Sequence, residues 1–232
     1  VKKSRNGVDM KKIMLVFGTR PEAIKMAPLV KAIEKDERFE AVTVVTAQHR
    51  EMLDQVLDIF QIQPDYDLDI MGKNQTLSQI TTRVIDAIEQ VLVEEAPDIM
   101  LVHGDTSTTF AASIAAFYHK VTLGHVEAGL RTWDKYSPFP EEMNRQVTDV
   151  LSDIYFAPTE ESRQNLLKEN HMDQNIYVTG NTAIDALRYT VPAHLQKDQR
   201  QILVTMHRRE NLGTPMENVF RAIKKISEEY VD

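Results

Sequence analysis

Short apolar runs alternate with longer amphipathic stretches along most of this chain. Ile13–Phe17 is uninterrupted by any polar residue, and comparable β-type runs recur at Val42–Thr46, Ile99–Val102, Val121–Val126, Ile154–Ala157, Ile176–Val178 and Ile202–Thr205. Because these runs are near-continuous rather than alternating, they predict strands covered on both faces, as in a parallel sheet. The segments between them carry helical spacing. Leu77, Ile80, Val84, Ile88 and Val91 form one apolar stripe, and Val219, Phe220, Ile223 and Ile226 repeat it near the end. Pro28 falls inside the helix expected after the first strand, where it removes the bond to the carbonyl of Ile24 and should kink the axis. Strand–helix alternation throughout predicts an α/β fold with a doubly wound parallel sheet.

The same pattern divides the chain. Residues 1–9 are polar and aperiodic and read as a tail. Residues 10–191 hold the main α/β domain, and the polar stretch 192–200 reads as a linker. Residues 201–232 offer one strand and one helix. A lone β-α unit cannot form a sheet or bury its own faces, so it is expected to open a second, truncated domain. No internal repeat or low-complexity segment interrupts this order.

Composition narrows the function classes. The 232 residues are 42% hydrophobic and 27% charged, an ordinary globular balance. With 27 basic against 35 acidic residues, the formal charge of −8 argues against a generic nucleic-acid or anionic-membrane surface, though not against a local basic pocket for a phosphate. The absence of cysteine excludes disulfides, thiolate metal sites and cysteine nucleophiles. The apolar run near the start is too short for a signal-peptide core or a membrane span, and a cytoplasmic protein is expected.

In a parallel α/β sheet the residues just past the strand carboxyl ends share one edge, where ligands bind. Those positions hold Gly18-Thr19-Arg20-Pro21-Glu22 with Lys25 one turn on, His103-Gly104-Asp105-Thr106, Glu127-Ala128-Gly129-Leu130-Arg131 and His207-Arg208-Arg209-Glu210-Asn211. Some have a purely structural explanation. Thr19 and Glu22 fit a capping box with Pro21 in the first turn. Asp105 could cap the next helix, and Glu141 could simply supply an acid to the first turn of its own. Arg20 and Lys25, however, put positive charge at an already positive helix start, a conflict that an anionic ligand would resolve. Glu127 ends an apolar strand and leads into Ala-Gly rather than a helix, and His207 is flanked by arginines. Asp65-Tyr66-Asp67-Leu68-Asp69 has an acidic alternation but reads as a solvated loop. There is no G-x-G-x-x-G, no P-loop and no histidine pair at metal spacing, so the residues point to an anion site without metal or nicotinamide cofactor.

Taken in order, these segments resemble the non-hydrolysing UDP-N-acetylglucosamine 2-epimerases of bacteria. The resemblance runs from Met10 to Asp232 through Phe17–Pro28, Thr46–Gln55, Val102–Thr106, Gly124–Thr132, Tyr136–Arg145, Thr179–Thr182 and His207–Asn211. It implies two Rossmann-like domains in the manner of GT-B glycosyltransferases, with the second mostly missing from this chain. It places Arg20, Lys25, Asp105, Glu127, His207 and Arg208 at the substrate, with Asp105, Glu127, Glu141 and His207 catalytic. It further implies a homodimer, no cofactor, UDP-N-acetylglucosamine and UDP-N-acetylmannosamine as partners, and a possible allosteric site at Gln48, His49 and Gln75. Asn74 and Glu51 depart from the residues some members carry at that second site. A GT-B sugar transferase and a catalytically silent sugar-nucleotide-binding fragment are the alternative readings.

Overall fold

The computed structural model describes residues 4–5, 8–47, 50–70, 72, 75–191, 204 and 213–229. Contacts divide the chain into two compact units, Val1–Ala193 and His194–Asp232.

The first unit is built on seven parallel strands: β1 (Lys11–Phe17), β2 (Phe39–Val45), β3 (Tyr66–Asp67), β4 (Ile99–His103), β5 (Thr122–Val126), β6 (Ile154–Ala157) and β7 (Ile176–Val178). Their spatial order is β3-β2-β1-β4-β5-β6-β7. The helices between them are α1 (Arg20–Lys35), α2 (Arg50–Phe60), α3 (Leu77–Glu95), α4 (Ser107–Tyr118), α5 (Glu141–Leu151), α6 (Glu160–Lys168) and α7 (Thr182–Thr190). Strand pleating explains why a continuous apolar run suits β1. Ile13, Leu15 and Phe17 join the core beneath α1 and α2, while Met14 and Val16 join the opposite core with Ile80, Val84 and Ile88 of α3 and Ala111 and Ala112 of α4.

The strands differ from the sequence reading mainly at their ends. β1 starts at Lys11, and β2 starts at Phe39 and stops before Thr46, because parallel pairing of Lys11 with Phe39 through Phe17 with Val45 carries both to the same rim. The solvated-loop reading of Asp65–Asp69 is corrected. Tyr66 and Asp67 pair with Val44 and Val45 as an edge strand, and Asp65 Oδ2 accepts the Thr43 N–H at 2.8 Å. Too few residues extend this strand for an apolar run to announce it. Within the stretch read as an aperiodic tail, Ser4–Arg5 pairs antiparallel with Val8–Asp9. Leu77, first of its stripe, is 43% exposed because it opens α3 at the rim rather than lying under it. α1 continues through Pro28 to Lys35.

The second unit contributes α8 (Thr214–Glu229), which has no buried residue; Val219, Phe220 and Ile226 are all exposed. Apart from Val204, which is exposed and in no strand, the run Ile202–Thr205 lies outside the described residues.

Candidate active site

The strand order reverses between β1 and β4, the neighbours from which α1 and α4 leave toward opposite cores. Such a switch point opens a crevice at the carboxyl ends of the strands. Its two walls are tied by Glu22. Thr19 caps α1 in a capping box. Glu22 Oε2 accepts the N–H groups of Gly18 at 3.0 Å and Thr19 at 2.7 Å. Its Oε1 accepts the hydroxyls of Thr106 at 2.6 Å and Thr109 at 3.1 Å. Burial pushes the Glu22 carboxyl up, against the pull of those donors. The first turn tolerates only glycine at 18, where a Cβ would lie 2.0 Å from Thr46 Oγ1.

Along this edge stand three carboxylates from three different turns. Asp105 follows β4 but does not cap α4, a role Thr106 takes by accepting the Thr109 N–H at 3.1 Å. Its Oδ2 instead accepts from the Arg145 guanidinium at 2.5 Å. Burial raises the Asp105 pKa; Arg145 pulls it down, and the nearby charges of Glu141 and Glu127 push it up again. Glu141 opens α5 and lines a groove of about 300 Å³ together with Thr19, Asp105, Ser107 and Asn144. Its Oε2 is buried without a hydrogen-bond partner among the described residues. The neighbouring Glu142 also leaves its Oε2 buried without a hydrogen-bond partner among the described residues, but its other oxygen is anchored. It is fully buried, and its Oε1 accepts from Thr132 N at 3.0 Å, Trp133 N at 3.1 Å and Gln146 Nε2 at 2.9 Å.

Glu127 follows β5 with a φ of 69°, a left-handed conformation uncommon outside glycine. Its Oε2 accepts from Lys25 Nζ and, at 3.0 Å, from Asn181 Nδ2. His103, the last residue of β4, sits behind it with Nε2 3.9 Å from the same oxygen. Burial, reinforced by the charges of Lys25 and His125, pushes the His103 imidazole down to about 3, so it is neutral at physiological pH.

A buried polar cluster supports these turns from beneath. His125 presents Nε2 to the Gly104 carbonyl at 2.7 Å and Nδ1 to Asp149 Oδ1 at 2.6 Å. Asp149 Oδ2 accepts from Gly129 N at 3.1 Å and from Arg131 at 2.6 Å, and Arg131 also binds Glu169. One aspartate on α5 thus joins the turn bearing Asp105 to the turn bearing Glu127.

A family description reading UDP-N-acetylglucosamine 2-epimerase matches residues 31–232. The Bacillus subtilis UDP-N-acetylglucosamine 2-epimerase is 58% identical over 95% of this chain. The chain belongs to the UDP-N-acetylglucosamine 2-epimerase family. It spans about 60% of the length of that relative. Among solved structures, a putative UDP-N-acetylglucosamine 2-epimerase from Listeria monocytogenes aligns with a TM-score of 0.89 at 58% identity, covering 95% of this chain and 60% of that one. A Neisseria meningitidis UDP-GlcNAc 2-epimerase, solved bound to UDP-GlcNAc, aligns at 0.81 and 49% identity, covering 94% and 63%.

Of the residues singled out by resemblance to this epimerase family, Lys25, Asp105, Glu127 and Glu141 stand along the crevice edge, and exposed Arg20 opens α1 beside them. His207, Arg208, Gln48 and His49 lie outside the described residues. Gln75 holds the turn before α3, its Oε1 accepting Gly72 N at 2.7 Å and its Nε2 donating to Ile70 O at 3.1 Å. Arg131, counted in sequence among the edge groups, is withdrawn: its guanidinium is buried between Asp149 and Glu169. A further guanidinium at the edge is that of Arg145, missed in sequence although it lies one helical turn after Glu141. Asn181 was also missed as a site residue. It caps α7 with one side-chain atom and reaches Glu127 with another, a double use that no spacing reveals. Among the described residues no cluster of three or more His, Asp or Glu side chains could hold a metal ion.

Proposed function

We propose that the protein carrying this chain interconverts UDP-N-acetylglucosamine and UDP-N-acetylmannosamine, as the names of its relatives indicate for them. The C2–H of an N-acetylhexosamine is barely acidic, having no adjacent carbonyl. Expelling UDP from C1 builds oxocarbenium character that acidifies this proton. Anti elimination to a 2-acetamidoglucal followed by syn re-addition of UDP then inverts C2. Asp105, Glu127 and Glu141 are the groups for proton transfer at C2 and for stabilising positive charge at C1. Arg20 and Lys25, joined by His207 and Arg208, neutralise the departing diphosphate. The scheme calls for no metal or redox cofactor.

The observation that carries this reading is the gathering of three carboxylates at one sheet edge with cations within reach, where burial first and the charges of Glu141 and Glu127 after it raise the Asp105 pKa against the pull of Arg145. A homodimer working in the cytoplasm belongs to the same proposal. Exposed Phe117, Tyr118 and Val150 on α4 and α5 are compatible with a partner subunit. A regulatory sugar-nucleotide site at Gln48, His49 and Gln75 is carried over on resemblance alone.

Turnover of the full-length protein in deuterium oxide tests the scheme. One solvent deuterium is expected at C2 of the product, because the proton passes through exchangeable carboxyls. Retention of the original hydrogen through epimerisation would rule it out.

A further inference from the structure

Two groups given separate tasks above hold each other. Lys25, needed for the diphosphate, donates Nζ to Glu127, needed for proton transfer. An ammonium so engaged is not available to an anion, and a carboxylate so held is not free to turn toward a substrate. When a diphosphate draws Lys25 away, Glu127 loses its strongest donor and, among the described residues, keeps Asn181, on the turn after β7.

We propose that His103 is a positioning residue for Glu127, donating Nε2–H to the carboxylate once the diphosphate of a nucleotide sugar has engaged Lys25. The inference rests on the functional reading above and deepens it. Its ground is geometric. The His103 side chain is 4% exposed, neither ring nitrogen has a hydrogen-bond partner among the described residues, and Nε2 already lies 3.9 Å from Glu127 Oε2. A shift of roughly 1 Å closes that to hydrogen-bond length. The ring is neutral and so carries one proton, and a carboxylate can only accept, which assigns that proton to Nε2 in the bound state. Orphaned buried donors are rare and costly, so one retained beside a carboxylate calls for a use. Exchanging the ammonium for a neutral donor keeps Glu127 fixed at the moment the substrate is in place.

His103→Leu and His103→Gln in the full-length protein test this. Because the His103 side chain makes no hydrogen bond among the described residues, the leucine variant is expected to resist urea at least as well as the parent. Its KM should stay within about 2-fold while kcat falls by about 10-fold, the scale of one hydrogen bond to a charged group. The glutamine variant, whose amide N–H can reach the same place, should recover most of that loss. The proposal is overturned if the leucine variant keeps its kcat, if both variants lose it equally, or if the leucine variant unfolds at distinctly lower urea. Failure of the parent to epimerise would instead remove the functional reading. His103 is then judged with UDP alone, which should move the Nε2–H proton resonance downfield; an unmoved resonance counts against it.

Discussion

Both rims of the sheet are acidic and both are hollowed, yet their acids are in different states. At the amino-terminal rim a cavity of about 490 Å³ is lined by Lys12, Asp65, Glu94, Glu95 and Asp98, larger than the groove of about 300 Å³ at the opposite rim. Its carboxylates work as staples. Asp98 accepts the Lys12 N–H at 2.9 Å and Lys11 Nζ at 3.1 Å, Glu95 accepts Lys12 Nζ and the Tyr66 hydroxyl at 2.7 Å each, and Asp65 holds Thr43. At the carboxyl-terminal rim, a buried oxygen of Glu141 and both nitrogens of His103 have no hydrogen-bond partner among the described residues, and Asp105 is pushed toward its protonated form. Cavity size therefore does not locate the chemistry in this molecule. The state of the lining groups does: the acids named at the amino-terminal rim are tied to the backbone and side chains of the fold, whereas at the other rim burial raises the Asp105 pKa and Glu141 keeps an oxygen without a donor among the described residues.

The sharpest way to test that contrast is to remove what supports the active rim. Asp149→Asn leaves Arg131 and His125 buried without their shared anion, and breaking one partner of such a pair costs about 3–5 kcal/mol. The loss depends on pH in a definite direction. Burial alone would raise the Asp149 pKa, but His125 and Arg131 outweigh it and hold the folded-state value below the ordinary one. Its contribution is thus present above the unfolded carboxylate pKa, about 3.9, and fades as pH falls through the folded value. Urea unfolding of parent and variant should give a gap that is wide at pH 7 and closes in acid. A gap that stays constant with pH would mean that Asp149 acts through shape rather than charge.

Next in size are the rim carboxylates themselves. Asp105→Asn, Glu127→Gln and Glu141→Gln should each reduce turnover by about 100-fold or more, the scale of a lost acid/base group. Folding should survive in all of them. Asp105 sharpens the point, because its folded-state pKa is raised. Its ionisation costs stability as pH rises through that value, so Asp105→Asn should be at least as stable as the parent at pH 7. Near-normal rates in all three variants would make these residues structural, like their counterparts on the other rim.

How much of this was legible in the sequence follows from the range of the forces involved. Strands β4, β6 and β7 could be read nearly to the residue because a local apolar run decides them. Tyr66–Asp67 could not, since its strand character comes from pairing with Val44 and Val45, more than twenty residues away. The carboxylates were visible because strand ends announce a shared edge. Their partners were not. Arg145 reaches Asp105 from forty positions on, Asn181 reaches Glu127 from fifty-four, and the burial of Arg131 depends on Asp149 and Glu169. Spacing also could not tell Glu141 from Glu142. That choice is made by two backbone N–H groups from the Thr132–Trp133 turn, which select the second of the pair.

At the amino-terminal rim a smaller effect of the opposite kind is expected. Asp98→Ala removes the acceptor for the Lys12 N–H and for Lys11 Nζ and should lower stability by about 1–2 kcal/mol, the scale of a part-buried hydrogen bond to a charged group. Turnover measured well below the melting temperature should stay within about 2-fold of the parent, since no moving proton or diphosphate is assigned to this rim. A loss of turnover matching that of Asp105→Asn would erase the distinction between the rims.

The smallest change should come from Glu142→Gln, although Glu142 lies closest in sequence to a proposed catalytic acid and is fully buried. Its three close bonds all converge on Oε1 as an acceptor. A glutamine carbonyl oxygen accepts from the same donors, so Thr132, Trp133 and Gln146 lose only the charge-assisted part of each bond. The other oxygen has no hydrogen-bond partner among the described residues and pairs with Arg145 only at 3.5 Å, while Arg145 keeps Asp105 at 2.5 Å. Burial opposes ionisation of Glu142, but the donors and Arg145 hold its pKa below the ordinary value. Its charge therefore adds stability at neutral pH that the amide forgoes, a loss expected to stay under about 1 kcal/mol given how much of the bonding persists. Side by side, Glu141→Gln should cut turnover by about 100-fold or more with little change in urea resistance, while Glu142→Gln should alter urea resistance slightly and turnover by less than about 3-fold. If Glu142→Gln instead reduced turnover as far as its neighbour does, anchoring by backbone donors would fail to separate supporting acids from working ones even across a single peptide bond.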